Sequence, residues 1–442
     1  MNIQLSDHFT YGKLFRFTLP SVIMMIFTSI YGVVDGIFVS NFVGKTPFAA
    51  LNFIMPFLMI FGGLGFMVGT GGSALVSKTL GEGDRQRANG LFSMLIWTSC
   101  VVSVLLAVLG FVFMRPVARL MGAQGEMLEY CVLYGRILTI GLPAFILQNE
   151  FQSFLITAER PKMGLAVTVA AGVTNIVLDA LLVAALELGL AGAAVATIIS
   201  QIVGGMVPLV YFLLPNRCTL KLTRPCMNGR ALARTCTNGS SELMTHWSMS
   251  LVNMLYNVQL MRFAGEDGVS AYGVIMYVNF IFISVFLGYS IGSAPLVGYH
   301  FGAQNTAELK NLYRKSLWIM GVLSLVLTGL GQALATPLAA IFVHYDAVLM
   351  EMTRRAFMLY ALSFLMAGFN IFASAFFTAL NDGLVSASIS FLRTLVFQAA
   401  SVLLLPLVLD LDGVWLAIVL AETLALGVSI FCFARFKGKY GY

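Results

Sequence analysis

Twelve apolar runs of about 20 residues or more divide this 442-residue chain and restrict what it can fold into. They lie at residues 14–40, 47–76, 91–113, 132–157, 163–186, 190–214, 243–264, 268–298, 312–334, 352–380, 384–408 and 413–436. Each run is long enough to cross the roughly 30 Å hydrocarbon core of a membrane as an α-helix. Only 10% of the residues are charged, and alternating β-barrel strands of about ten residues are absent from the sequence. The sequence therefore predicts an all-α polytopic membrane protein with twelve transmembrane helices.

Basic residues predict how the helices are oriented. Of the 26 Lys and Arg residues, 18 fall in the termini and loops on one side of the membrane and six on the other, while Arg136 and Arg393 lie within helices. Cytoplasmic loops carry the excess of Lys and Arg in membrane proteins. We therefore expect a multi-pass protein of the cell (cytoplasmic) membrane with both termini in the cytoplasm. The net charge of +6 then reflects topology and gives no support to nucleic-acid binding.

An internal duplication is visible when the chain is shifted against itself by 221 residues. Residues 42–97 then align with 263–318 without a gap, and thirteen of the 56 positions are identical. The matches include Gly44/Gly265, Gly71/Gly292, Gly81/Gly302 and Trp97/Trp318. Each copy holds six helices, so both enter the membrane in the same orientation and are related by a pseudo-twofold axis along the membrane normal.

The duplication predicts how the chain is divided. We expect an N-lobe of six helices at residues 1–214, a basic cytoplasmic linker at 215–240 and a C-lobe of six helices at 241–442. Two lobes around a central cavity suit alternating access, in which the lobes rock to expose the cavity first to one side of the membrane and then to the other.

Four polar residues lie at a similar depth in the N-lobe: Asp35 in helix 1, Asn175 and Asp179 in helix 5, and Thr197 in helix 6. At 1.5 Å per residue, Asp35, Asp179 and Thr197 lie roughly 9–12 Å from the outer ends of their helices. Asn175 lies four residues before Asp179 and shares its helix face. Their counterparts in the second copy are Tyr256, Val396, Ala400 and Ile418. Ionisable residues at membrane depth are costly and are functional candidates by default. Two carboxylates with amide and hydroxyl oxygens are suitable ligands for Na⁺. The same two carboxylates can instead share one proton. A third interpretation is that Asp35 and Asp179 only form hydrogen bonds within the helix bundle.

Other polar groups are less organised. Tyr31 shares a helix face with Asp35 because the two are four residues apart. Glu242 and His246 are also four apart, near the cytoplasmic start of helix 7, where they can relay protons, meet a cationic substrate in the cavity or form an ordinary interfacial pair. Pro20 removes a backbone donor from helix 1 and predicts either a conformational hinge or a static kink.

Three further charged residues at membrane depth favour a structural interpretation. Arg136, Arg393 and Glu422 are expected to form interhelical pairs. The six cysteines contain no C-x-x-C pair, so neither disulfides nor a zinc site is expected. The metal-protease motif H-E-x-x-H and the hydrolase motif G-x-S-x-G are absent. We therefore expect no enzyme and no cofactor, and a monomer whose only ion is the coupling Na⁺ or H⁺.

Several stretches resemble one known family. The run FTLPSVIMMIFTSIYGVVDGIFVSNFVG, the segments ALNFIMP and GTGGSALVSKTLGEGD, and the TNIVLD stretch are similar to MATE multidrug and toxic-compound extrusion transporters. The resemblance is to their DinF- and MepA-like bacterial branch and spans essentially the whole chain. It implies export of amphipathic organic cations in exchange for Na⁺ or H⁺. It also implies a cation site formed by Asp35, Asn175, Asp179 and Thr197, the set found above from depth and asymmetry.

Three hypotheses follow. The first is a cation-coupled antiporter that exports small amphipathic cations. The second is a flippase for lipid-linked precursors, which needs a strongly cationic cavity, whereas only Arg136 and Arg393 lie at membrane depth. The third is a membrane receptor or scaffold without transport activity, which needs no buried acids. The duplication and the buried acids rank the hypotheses in this order.

Overall fold

A computed structural model describes residues 3–43, 45–215, 218–343 and 346–442. Within these ranges the regular structure is entirely helical. The helices are α1 (Tyr11–Phe42), α2 (Lys45–Gly81), α3 (Arg85–Leu120), α4 (Gly125–Thr157), α5 (Pro161–Leu178), α6 (Gly189–Leu213), α7 (Gly229–Gly302), α8 (Thr306–Val343), α9 (Ala347–Ala361), α10 (Phe364–Ala379), α11 (Gly383–Phe391), α12 (Gln398–Leu404) and α13 (Pro406–Tyr440). Two π-helical segments, Asp179–Ala185 and Leu392–Phe397, extend α5 and join α11 to α12.

The number of membrane crossings depends on two breaks. The 74 residues of α7 would span about 110 Å if straight, far beyond a bilayer. The helix reverses at Gly265, whose φ of 63° and ψ of −149° lie outside the helical region and favour glycine. Helices α9 and α10 meet at a 48° bend and together make one span. Among the described residues, ten helices are long and apolar enough to cross a membrane, or eleven when α9 and α10 are taken as one span. Dividing α7 at Gly265 into two spans brings the number to the twelve that the apolar runs predict. Residue 44, the counterpart of Gly265, lies outside the described ranges.

One helix boundary differs from the sequence expectation. Helix α7 begins at Gly229, inside the segment expected to be a linker. Asn228 caps this helix by accepting hydrogen bonds from the backbone N–H groups of Arg230 and Ala231. The length of the apolar run did not predict this boundary, because the first turns of α7 are polar and precede the apolar run at 243–264.

Contacts between the two halves of the chain repeat the 221-residue offset. A Cβ atom on Gly81 would overlap the carbonyl oxygen of Tyr299, and one on Gly302 would overlap the carbonyl oxygen of Lys78. The 221-residue offset relates Gly81 to Gly302 and Lys78 to Tyr299. The two contacts are therefore equivalent under an approximate twofold axis. The glycines let the ends of α2 and α7 meet backbone to backbone. We call this contact the glycine seam.

Both chain termini lie at the same end of the bundle as the glycine seam. The Phe9 ring contacts His300 edge to face at 6.4 Å, and Tyr440 contacts Phe301 at 5.6 Å. The Phe9 backbone N–H donates to Glu308 of α8 over 2.9 Å. The N-terminal segment is thus attached to the second half of the chain, and the two halves are closed against each other at this end.

Candidate functional site

Two carboxylates from different helices meet inside the first half of the bundle. The side chains of Asp35 in α1 and Asp179 in the π-helical segment lie within hydrogen-bonding reach of each other. Among the described residues, Oδ1 of Asp35 and both oxygens of Asp179 are buried without a hydrogen-bond donor. Ionised carboxylates only accept hydrogen bonds, so a proton shared by the pair would supply a donor between them, and a bound cation would neutralise their charge.

The local fold explains why these acids meet. Asp35 lies seven residues before the end of α1, and Asp179 lies six residues before the end of the π-helical segment. Gly172 of α5 has no side chain where the rings of Phe27 and Tyr31 pack, so α1 lies close against α5. Asp179 is the first residue of a π-helical segment, an irregularity that often marks functional sites.

The other two predicted ligands, Asn175 and Thr197, differ from each other in their contacts. Asn175 is 3% exposed, and its Nδ2 has no acceptor within the described part of the chain. Thr197 lies eight residues from the start of α6 and donates its hydroxyl to the Ala193 carbonyl oxygen over 3.0 Å. Its oxygen lone pairs remain available to a cation. The four-residue ligand set stays a prediction.

Aromatic and amide groups surround the acid pair. Tyr31 lies beside both Asp35 and Gln148 of α4. Tyr134 of α4, 1% exposed, lies close enough to interact electrostatically with both carboxylates. The sequence interpretation did not identify Tyr134. Tyr134 lies nine residues into α4 from the same end of the bundle, but this depth does not show which side of α4 faces the acids.

The equivalent place in the second half is aromatic. Tyr256, the counterpart of Asp35, stacks on Tyr272 with ring centroids 4.8 Å apart and an 11° angle between planes. Both rings are buried. Tyr272 donates to Asn253 over 2.7 Å. The asymmetry read from the sequence is therefore a real difference in packing.

The second half has its own buried charges, which form a closed network. Arg393 contacts Glu422 with Nε at 2.9 Å from both carboxylate oxygens and an Nη2 at 2.8 Å from Oε1. Asn370 donates to Glu422 Oε2 over 2.7 Å and accepts from Ser429 over 2.8 Å. The expected pairing of Arg393 with Glu422 is confirmed. Arg136 is different: it donates to the Phe111 carbonyl oxygen over 3.2 Å.

Replacing Glu422 by Gln should destabilise the protein. The Arg393 side chain is 13% exposed and Glu422 is 2% exposed, so the guanidinium would be left buried beside a neutral amide. Breaking a buried pair in this way costs about 3–5 kcal/mol of unfolding free energy. Thermal unfolding in detergent measures the change. Asp412→Asn breaks the exposed pair with Arg355 and should cost about 1 kcal/mol or less; equal losses in the two variants would contradict the prediction.

Glu242 and His246 lie well inside α7 and not near its start, because the helix begins at Gly229. Glu242 is thus about 20 Å along the helix axis. The His246 ring stacks on Phe66 of α2, with centroids 5.1 Å apart and a 24° angle between planes. Both Glu242 and His246 are partly buried. The cavity-lining position stays a prediction.

One buried acid was not assigned a role by the sequence interpretation. Glu150 of α4 is fully buried, and both of its oxygens are without a hydrogen-bond partner among the described residues. Ser99 of α3 lies close to it. Pro20, the expected hinge, lies within an uninterrupted α1, so the structure holds one conformation of that helix and the hinge stays a prediction.

Comparison with known proteins identifies the family. The sequence profile of the family described as MatE matches residues 20–181 and, a second time, residues 243–403. The chain belongs to the MatE family. The two matches agree with the internal duplication, and the family membership confirms the resemblance read from the sequence. A MatE protein is a membrane transporter and not an enzyme.

Similar proteins agree with this MatE assignment. The chain is 23% identical to the multidrug export protein MepA of Staphylococcus saprophyticus over 80% of this chain and 79% of the relative. A structure described as the outward-facing conformation of a multidrug resistance MATE family transporter matches with a TM-score of 0.92 and 23% identity, covering 98% of both chains. A MOP superfamily transporter from Pyrococcus furiosus, described as having a binding pocket of reverse polarity, matches with a TM-score of 0.90 and 23% identity over 97% of this chain and 96% of that one. The structures support the fold.

Proposed function

We propose that this MatE protein is a secondary antiporter that exports amphipathic organic cations from the cytoplasm, driven by inward movement of Na⁺ or H⁺. The observation that carries the proposal is the acid pair, Asp35 and Asp179, whose buried oxygens lack donors. Two uncompensated negative charges at membrane depth are too costly to persist, so a cation must accompany them. Asn175 and Thr197 supply the remaining ligands.

The donor set fits a monovalent cation. Within the described residues, no group of three or more His, Cys, Asp and Glu side chains comes together, as a divalent site would favour. A single proton would supply the missing donor between Asp35 and Asp179, and Na⁺ would bind to carboxylate, amide and hydroxyl oxygens. Either ion neutralises the pair, so the choice between them is a matter for experiment.

Coupling follows if the cation and the exported compound stabilise different states of the two lobes. The glycine seam closes the end that carries both termini, which we take to be cytoplasmic from the distribution of basic residues. Export then requires this seam to open for substrate entry and to close for release. MepA, a relative of this chain, is a multidrug export protein, which supports multidrug export here.

The competing hypotheses are less well supported. A flippase for lipid-linked precursors needs free cationic groups at the cavity, but Arg393 is neutralised by Glu422 and Arg136 lies against the Phe111 carbonyl. The receptor or scaffold hypothesis does not explain why Asp35 and Asp179 lie at membrane depth without hydrogen-bond donors.

Flux measurements with one gradient at a time test the proposal. A Na⁺ gradient and a pH gradient are imposed separately on proteoliposomes that contain the purified protein. One of the two gradients should drive ethidium transport, and that gradient identifies the coupling ion. We expect a stimulation of roughly tenfold or more over vesicles without a gradient. Protein-free vesicles correct for ethidium that follows the gradient through the lipid. Ethidium movement that ignores both gradients would exclude coupled antiport.

A further inference from the structure

A cavity of about 290 Å³ opens at the end of the bundle that carries both termini. It is lined by the first half of the chain, the second half and the N-terminal segment, with Arg85, Arg160, Tyr299, Gln4 and Ser6 among its residues. Small-molecule sites begin at about 300 Å³. The cavity is therefore large enough for a small solute, and most of these side chains are polar or charged.

The cavity carries a net positive charge. Among the described residues, neither Arg85 nor Arg160 takes part in an ion pair. The acid that also lines the cavity, Glu159, has both oxygens occupied. Its Oε1 accepts from the Leu5 backbone N–H over 2.7 Å, and its Oε2 accepts from the Thr219 hydroxyl over 2.9 Å. Two guanidinium groups outnumber this one carboxylate, so the cavity favours an anion.

The walls of the cavity come together only when the terminal end is closed. In the N-terminal segment, the Leu5 backbone is bonded to the first half of the chain and the Phe9 backbone to the second half. The Tyr299 carbonyl oxygen belongs to the glycine seam, where it meets Gly81. Opening of the seam would therefore move Tyr299 and the N-terminal segment relative to the two arginines. A solute that fits the cavity stabilises the closed state, because only that state offers the complete site.

We propose that this cavity binds a phosphate monoester and that the bound anion holds the terminal end closed. A phosphate monoester has three terminal oxygens, one more than a carboxylate, so it can accept hydrogen bonds from both guanidinium groups. Gln4 and Ser6 bring an amide and a hydroxyl as further donors. The site needs neither the exported compound nor the coupling ion.

Two sources can supply this chemistry. Arg85 lies in the break between the apolar runs 47–76 and 91–113, and Arg160 in the break between 132–157 and 163–186. The cavity is therefore at the membrane surface, where basic pockets between helices bind lipid headgroups. The phosphate is either the headgroup of phosphatidic acid or that of a soluble phosphate ester.

Glycerol 3-phosphate, a soluble phosphate monoester with the structure of that headgroup, tests the proposal on purified protein in phosphatidylcholine nanodiscs. Equilibrium titration should show saturable binding, whereas glycerol, which lacks the phosphate, should not bind. Arg85→Gln and Arg160→Gln should each weaken binding by about tenfold or more, because each removes a charged donor. Lys162→Gln is the matched control: it removes the same charge from an exposed residue outside the cavity and should bind as the unaltered protein does.

A second arm separates the two sources. Phosphatidic acid replaces part of the phosphatidylcholine, and glycerol 3-phosphate is titrated again. Lost binding through competition assigns the site to the lipid headgroup, and unchanged binding assigns it to a soluble ester; both results support a phosphate site. Absence of saturable binding in phosphatidylcholine nanodiscs, or an equal loss in Arg160→Gln and Lys162→Gln, would overturn the proposal.

The effect on closure is measured in Gly302→Ala, in which the seam is overpacked. Spin labels on Arg87→Cys and Lys310→Cys, one in each half, report the distance across the terminal end. Saturating glycerol 3-phosphate should raise the ratio of the closed to the open state by about fivefold or more. The same addition should change nothing when Arg160→Gln is also present. Unchanged distances with both cavity arginines intact would show that the anion does not hold this end closed.

Discussion

Asp179→Asn is expected to remove gradient-driven export while leaving the protein folded. The change eliminates one of the two charges that hold the coupling cation, so the free energy that links the ion gradient to export is lost. Coupling free energies of about 1–3 kcal/mol correspond to a roughly 5- to 150-fold effect, and we expect a loss near the upper part of that range. Ethidium flux in proteoliposomes under the effective gradient measures it.

Stability provides the second readout of the same variant. The amide introduced by Asp179→Asn would offer N–H donors to Asp35, whereas the native carboxylate offers none in its ionised form. The free energy of unfolding should therefore not fall when Asp179 is replaced. Asp412→Asn makes the same chemical change at a partly exposed acid and should leave flux unchanged. Unaltered flux in Asp179→Asn would exclude Asp179 from coupling, and a large loss of stability would assign it a structural role.

The helical spans were predictable because they depend on the length of apolar segments. All twelve runs correspond to helical spans in the described structure. Helix length beyond the apolar part was not predictable, as the polar first turns of α7 show. The reversal at Gly265 depends on a left-handed φ that the duplication alone does not predict. The π-helical segment that begins at Asp179 has no signature in hydropathy, because its residues have the same apolar composition as an α-helix.

The sequence singles out candidate site residues but not their contacts. The duplication singled out Asp35 and Asp179 because their counterparts, Tyr256 and Ala400, carry no charge. Depth counting cannot tell which side of a helix faces a partner, so the neighbouring Tyr134 was missed. Contacts were also missing from the prediction for the second half. The sequence predicts that Arg393 pairs with Glu422, but it does not predict the hydrogen bond from Asn370 to Glu422.

The buried acids are distributed unevenly between the two halves of the chain. Among the described residues, the first half holds three acids whose buried oxygens lack donors, Asp35, Glu150 and Asp179, and in the second half Glu422 is neutralised by Arg393. If the coupling ion binds in the first half, it influences the exported compound through the relative position of the two halves. The glycine seam is a contact that such a movement must break and remake.

Gly302→Ala is expected to prevent the two halves from closing at the end that carries the termini. The added Cβ would overlap the Lys78 carbonyl oxygen, a backbone atom that cannot move aside as a flexible side chain does. Overpacking costs about 1–3 kcal/mol, and only the closed state has this contact. The ratio of the closed to the open state should therefore fall by roughly 5- to 150-fold, with export falling alongside it. Gly81→Ala should have the same effect, because it makes the symmetry-related overlap with Tyr299.

Distances between spin labels measure the closed population directly. Labels on cysteines introduced at Arg87 and Lys310, which are exposed at the terminal end of the two halves, should report longer distances in Gly302→Ala. The native cysteines would first be replaced by alanine. Gly427→Ala is the matched control, since a Cβ there meets nothing within 4 Å and should stabilise its helix slightly, by up to about 1 kcal/mol. An unchanged distance distribution in both seam variants would show that transport does not depend on backbone contact between α2 and α7.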